Sequence, residues 1–211
     1  MKLPPLMAIV DADAAHGAGL PVVDVASAFL RGGATFLQFR AKAAPGKWLF
    51  DTASAIVALA HGAHAHVIVN DRADIARLSG ADGVHVGQDD LSPALVRRLV
   101  NEPAMVGLST HTQEQVDAAI GQPISYLAIG PVFDTRTKPS NNPAIGLDGV
   151  REAARSARAA GLPLVAIGGI ALESAPAVID AGADSVAVIG DLIVDGNPEA
   201  RVRAYLERLT I

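Results

Sequence analysis

Gln38, Arg40 and Lys42 occupy every second position of the run Gln38-Phe39-Arg40-Ala41-Lys42. On an extended chain that spacing turns three long polar side chains, two of them cationic, toward one face. Burying two cations without counter-charge costs several kcal/mol each. The face therefore calls for an anion, and a polyanion bound at the mouth of the fold would supply it. The opposite assignment, with Phe39 and Ala41 inward, sets the charges against a helix layer that tolerates them no better.

Carboxylates follow at comparable places further along, first in Asn70-Asp71 and then in Gly87-Gln88-Asp89-Asp90. Acidic groups facing two cations suit a hard divalent ion that bridges to phosphate oxygens. Mg²⁺ takes one or two carboxylates and completes its octahedron with water and substrate oxygens. Each Asp could instead cap the helix that follows it. Asp89 has that option because Leu91-Ser92-Pro93 leads into a helix, and spacing alone does not choose between Asp89 and Asp90.

Three weaker signals point to phosphate. Ser109 and Thr110 bring small hydroxyls to a strand end, though either could cap a helix beginning near Thr112. Gly168-Gly169 and Ile189-Gly190 place glycines after the last two strands, where backbone N–H groups can approach an anion. The long connection 133–146 carries Thr135-Arg136-Thr137-Lys138, and a polar loop of that length usually has a use. The histidines offer less: His61, His64 and His66 fall before the third strand and read as a solvated turn. His85 lies within a strand, as a core residue or a substrate contact. No Ser-His-Asp order or other nucleophile emerges.

The elements that must hold these residues alternate from end to end. Short β-branched runs cover 6–12, 35–42, 65–71, 82–88, 104–110, 126–132, 163–169 and 185–191, with helical stretches between them and a last helix near 198–209. Turn signals separate the units at Gly32-Gly33, Pro45-Gly46, Gly80, Gly121, Gly161-Leu162-Pro163 and Gly196-Asn197-Pro198. Eight strand-helix units predict one (β/α)₈ barrel over 1–211, lean for that fold. An open doubly wound sheet would place Gly-x-Gly-x-x-Gly after the first strand, and 11–20 lacks it. In a parallel barrel every strand points the same way, so all the strand-end residues above share one rim.

Composition narrows the partners. Of 211 residues, 50% are hydrophobic and 18% charged, as expected for strands buried on both faces. A net charge of −5 argues against nucleic acid, which demands a basic stripe. The absence of cysteine excludes disulfides and thiolate chemistry. The apolar stretch 159–172 contains Gly and Pro and falls short of a membrane span. A cytoplasmic protein acting on small molecules is expected; a homodimer is one assembly the sequence allows without selecting it.

With these residues assembled, the chain resembles the thiamine phosphate synthase family throughout its length. The matching segments are Gln-Phe-Arg-Ala-Lys at 38–42, Val-Asn-Asp at 69–71, Ala-Asp-Gly-Val-His-Val-Gly-Gln-Asp-Asp at 81–90, Gly-Leu-Ser-Thr-His at 107–111, Gly-Pro-Val-Phe-Asp-Thr-Arg-Thr-Lys at 130–138 and Val-Ala-Ile-Gly-Gly-Ile at 165–170. The resemblance implies a transferase that joins a pyrimidinylmethyl diphosphate to a thiazole phosphate and releases pyrophosphate. It assigns Gln38, Arg40, Lys42, Asn70, Ser109 and Lys138 to the pyrimidine and its diphosphate, with Arg40, Lys42 and Lys138 as the catalytic cations. It gives Mg²⁺ to Asp71 and Asp90, which selects the later residue of the Asp89-Asp90 pair. Thr135, Arg136, Thr137, Gly169, Ile189 and Gly190 would surround the thiazole phosphate.

Two positions depart from the family pattern: Asp134 stands where proline is common, and Gly190 where serine is common. The second change removes a hydroxyl donor to the thiazole phosphate. A thiazole tautomerase of the same superfamily is the nearest rival, but Pro131 occupies a place where such relatives carry histidine. A non-catalytic sensor of thiazole or pyrimidine phosphates would be free to lose the metal carboxylates, and this chain retains them.

Overall fold

The computed structural model describes residues 2–100, 102–134 and 142–209. Eight parallel strands close on themselves in sequence order, β1 beside β2 and so on until β8 returns to β1. They are β1 (Leu6–Asp11), β2 (Phe36–Arg40), β3 (His66–Asn70), β4 (Gly83–Val86), β5 (Met105–Thr110), β6 (Tyr126–Ile129), β7 (Leu164–Ile167) and β8 (Ser185–Val188). Each falls inside a run expected from the sequence, trimmed by a residue or more. The trimming occurs mostly at the C-terminal ends, where the chain leaves the ladder to build the rim.

The helices form the outer ring: α1 (Ala12–Gly17), α2 (Val22–Arg31), α3 (Gly46–Gly62), α4 (Ala73–Ser79), α5 (Pro93–Arg97), α6 (Gln113–Ile120), α7 (Gly146–Ala159), α8 (Ala175–Asp180) and α9 (Pro198–Leu209). Eight were expected, and nine occur among the described residues. The additional one is the short α1, which Asp11 starts by accepting the Ala14 amide at 2.9 Å. A 3₁₀ turn at Gly190–Leu192 follows β8.

Two apolar layers hold this arrangement. Outward strand residues such as Val10, Phe39, Val69, Val86 and Leu127 pack with the helix faces in one continuous core. Phe39 meets Trp48 of α3 with ring centroids 6.2 Å apart, so the outward side of β2 is apolar and Gln38 and Arg40 turn inward. The barrel interior is filled by a smaller set that includes Met7, Ile9, Phe36, Ile68, Tyr126 and Val165. These plug the lower barrel and leave the upper end open. Among the described residues, no helix is long and apolar enough to cross a membrane.

Candidate functional site at the C-terminal rim

The opening above the inner plug is a cavity of about 480 Å³. Gln38, Arg40, Asn70, His85 and Ser109 form its polar wall; Gly168, Gly169, Ile189 and Gly190 lie on the other side, over a floor of Ile9, Ala128, Val165 and Ala187. This asymmetry suits a ligand with an apolar ring and anionic ends. Gln38 is only 4% exposed, and its amide donates to Met7 Sδ at 3.4 Å.

Arg40 reaches this wall with a counter-charge the sequence reading missed. Its guanidinium donates to Asp11, a carboxylate only 5% exposed. The two residues are register partners at the ends of β1 and β2. Asp11 therefore neutralises part of Arg40 and orients it while capping α1. The available signal was a carboxylate closing β1 at the same level as a cation closing β2.

Lys42, Asp71 and Asp90 converge beside the cavity. Lys42 Nζ lies 2.6 Å from Asp71 Oδ2, and Asp90 accepts the Gly87 amide at 2.8 Å. Burial pushes the Asp71 carboxyl above the ordinary Asp range; the Lys42 bond opposes that, and the adjacent Asp90 adds to it. For Asp90, burial also raises the pKa, but the Gly87 amide, Asp71 and Lys42 together carry it below the usual value. One carboxyl thus holds a proton more readily because the other is ionised beside it. Two carboxylates pressed together at a rim open to solvent are a donor pair that a divalent cation would relieve. Asp89 is exposed, and the following helix has Ser92 at its cap, so Asp89 neither takes Asp90's place beside Asp71 nor caps that helix.

Asp71 is held there by its backbone. It adopts φ +62, a left-handed conformation that Asp tolerates better than most residues, and its amide donates to the His85 carbonyl at 2.7 Å. That twist turns the side chain out of the β3 ladder and toward Asp90.

On β4 and β5, His85 is 7% exposed and uses both ring nitrogens, Nδ1 with the Tyr126 hydroxyl at 3.0 Å and Nε2 with Ser109 Oγ at 2.8 Å. Ser109 consequently faces the cavity. Thr110 donates to the Ala128 carbonyl at 2.8 Å, and Thr112 caps α6. Neither Ser109 nor Thr110 serves as a cap. His111 also lines the cavity, its Nδ1 donating to the Gly130 carbonyl at 2.6 Å.

The glycine side is tightly packed. Gly168 and Gly169 have φ of +103 and +67. A Cβ on Gly168 would stand 2.6 Å from Pro131 Cα, and one on Gly169 would stand 2.5 Å from the Asp134 carbonyl oxygen. The pair is glycine for close backbone packing as well as for any anion. Amides of Ile145 and Gly146 donate to the carbonyls of Pro131 and Val132, both at 2.9 Å, which ties the two ends of the long connection together. Asp134 and Asn142 line the cavity from those ends. Thr135, Arg136, Thr137 and Lys138 lie outside the described residues.

Away from the rim, His61 and His66 each contact Asp82 at 3.1 Å at the opposite end of the barrel, where a solvated turn was expected. Among the described residues no three His, Cys, Asp or Glu side chains are grouped to hold a metal ion. A second feature missed in the sequence lies back on the rim, a clamp just past the C-terminal end of β8, where Asp191 also lines the cavity. Asp191 receives Arg201 through both nitrogens of its fork, at 2.8 and 3.2 Å, and the Tyr205 hydroxyl at 2.5 Å.

Comparison with known proteins bears on family and fold. The family described as thiamine monophosphate synthase matches residues 6–192. A thiamine-phosphate synthase from Koribacter versatilis (strain Ellin345) is 43% identical over 211 residues, covering 99% of this chain and 97% of its own. One from Roseiflexus sp. (strain RS-1) is 42% identical over 183 residues, covering 87% and 76%. A solved thiamine phosphate pyrophosphorylase from Pyrococcus furiosus superimposes with a TM-score of 0.87 at 28% identity, covering 98% of this chain and 95% of that one.

Proposed function

The chain belongs to the thiamine monophosphate synthase family, and on that basis we propose that it condenses 4-amino-2-methyl-5-pyrimidinylmethyl diphosphate with a thiazole phosphate, giving thiamine phosphate and pyrophosphate. The observation that carries this reading is the meeting of Lys42, Asp71 and Asp90 beside a cavity walled by Gln38, Arg40, Asn70 and Ser109. A diphosphate and its metal need cations and carboxylates within reach of one another, and a pyrimidine needs amide and hydroxyl partners. The rim offers both.

Asp71 and Asp90 would hold Mg²⁺, which when bound neutralises charge on the diphosphate. The chain's own part follows from the chemistry. An aminopyrimidine stabilises positive charge at its exocyclic carbon, so the C–O bond to diphosphate can break before the thiazole nitrogen attacks. That nitrogen carries its own lone pair, and no general base on the nucleophile is required. Arg40 and Lys42 neutralise the departing diphosphate, and Asp11 fixes Arg40 so that little reorganisation is needed. Lys138, by family resemblance, would join them. The apolar floor and the glycine side align the thiazole and exclude water that would trap the cation. Gly169, Ile189 and Gly190, with Thr135 to Thr137, would receive the thiazole phosphate. A tautomerase reading gains nothing here, because Pro131 lines the cavity where such relatives use histidine.

The test is direct. Purified protein with both substrates and Mg²⁺ should release pyrophosphate and form thiamine phosphate, and omission of the thiazole partner should abolish the thiamine product. No product under any of these conditions would overturn the assignment.

A further inference from the structure

Across β4, β5 and β6 one inward row reads His85, Gly107, Tyr126, each level with the next. The middle strand contributes no side chain there, and the two rings close over it, with centroids 5.6 Å apart and planes inclined by 24°. A Cβ on Gly107 would stand 2.2 Å from Tyr126 Cζ and 2.4 Å from both His85 Nδ1 and the Tyr126 hydroxyl. The glycine is what allows the 3.0 Å contact between that hydroxyl and Nδ1.

The contact has a direction. Tyr126 is completely buried, and its hydroxyl has no other partner among the described residues. Burial drives the phenol far above its ordinary pKa, so it remains protonated. A buried hydroxyl proton requires an acceptor, and His85 Nδ1 is the group within reach. Accepting it places the imidazole proton on Nε2. Nε2, 2.8 Å from Ser109 Oγ, then donates to that oxygen. The Ser109 proton is thereby turned away from His85, and Ser109 lines the cavity.

We propose that Tyr126 and His85 are positioning residues that present Ser109 to the ligand as a hydrogen-bond donor, and that Gly107 stays small to admit the bond that sets this direction. The ligand partner is an acceptor atom, such as a diphosphate oxygen. That half of the inference rests on the pyrimidine-diphosphate reading of the cavity. The tautomer itself does not, because it follows from buried groups alone.

Two measurements decide it. In the ligand-free, ¹⁵N-labelled protein, with the His85 signals assigned by their loss in His85→Gln, Nδ1 should carry the shift of an unprotonated nitrogen and Nε2 that of a protonated one. A protonated Nδ1 would overturn the proposal. This readout uses the wild-type fold, so a variant that fails to fold leaves it standing. Binding of inorganic pyrophosphate with Mg²⁺, followed by calorimetry, should weaken about 3- to 10-fold in Tyr126→Phe and in Ser109→Ala, the span of one neutral hydrogen bond. The double variant should lose little more than either single one, and full additivity would overturn the coupling. His85→Gln, whose amide can donate near the Nε2 position, should bind more tightly than His85→Leu; equal loss would count against the orienting role. A wild-type protein with the expected tautomer but no pyrophosphate binding would overturn the proposed function together with the ligand half of this inference. The wrong tautomer with tight binding would overturn this inference alone.

Discussion

Replacing Asp71 by Asn removes one charge, and with it both the ion pair to Lys42 and the repulsion with Asp90. The left-handed backbone at this position suits Asn as well as Asp, and the amide bond to the His85 carbonyl survives. Without ligands the relieved repulsion with Asp90 offsets the lost pair with the half-exposed Lys42, so the melting temperature should change little. Its cost appears when cations must be held. A unit charge about 4 Å from another is worth about 4 kcal/mol at an effective dielectric of ~20. The Asp71 side chain is 20% exposed and Lys42 47%, so solvent screening leaves roughly 3–4 kcal/mol acting on a metal-bound diphosphate. The expected outcome is a loss of about 10²- to 10³-fold in turnover. A continuous pyrophosphate-release assay at several Mg²⁺ concentrations measures it, and excess Mg²⁺ should restore part of the rate. Wild-type turnover with an unchanged Mg²⁺ dependence would refute both the metal assignment and the electrostatic reasoning.

Four further outcomes are expected. Gly107→Ala should cost at least about 1–3 kcal/mol in urea unfolding, because its Cβ falls on Tyr126 and His85; an unchanged midpoint would mean that the rings separate freely. Arg201→Ala should cost about 2–3 kcal/mol by stripping a partly buried Asp191 of its partner, and the added substitution Asp191→Asn should recover part of the loss in the same assay. At Asp82, burial raises the pKa, but the Val67 amide, His66 and His61 together outweigh it, so the folded value lies below 3.8. Its contribution is therefore present above that pH and fades as pH falls through the folded value. Asp82→Asn should cost about 1 kcal/mol near pH 7, with the cost shrinking as the pH falls below the ordinary Asp range, and a difference that ignores pH would assign the loss to hydrogen-bond geometry. Asp134→Asn should lower the KM for the thiazole phosphate about threefold, since an exposed, screened carboxylate lines the cavity on the glycine side; an unchanged KM would place that phosphate elsewhere.

The fold was legible because its periodicity is local. Every strand shows itself as a short apolar run, and parallel closure sends every strand end to the same rim. Gln38, Asn70, Ser109 and the carboxylates could therefore be grouped without coordinates. Pairings were harder to read. That Arg40 meets Asp11 depends on the β1–β2 register, which a single sequence does not display because β1 is apolar on both faces up to Asp11 and has no pattern to align with the polar row of β2. That Asp71 turns toward Asp90 depends on one left-handed residue, and Asp occurs in that conformation too rarely to be assumed. The meeting of His85 and Tyr126 needed the absence of a side chain on the strand between them. Only three aligned strands make that absence meaningful. Helix α1 was missed because Asp11 read as part of a strand, while it also begins the next element.

The close approach of Gly168 and Gly169 to Pro131 and Asp134 also bears on how this barrel could change its chemistry. Main chain presses on main chain there, so that corner has no room in which mutation could try new side chains without forcing neighbouring loops apart. Divergence toward other acceptor molecules would have to be written on the polar wall opposite, where side chains rather than backbone meet the ligand. The glycine corner would pass unchanged into any descendant activity, a fixed socket around which new specificities are tried.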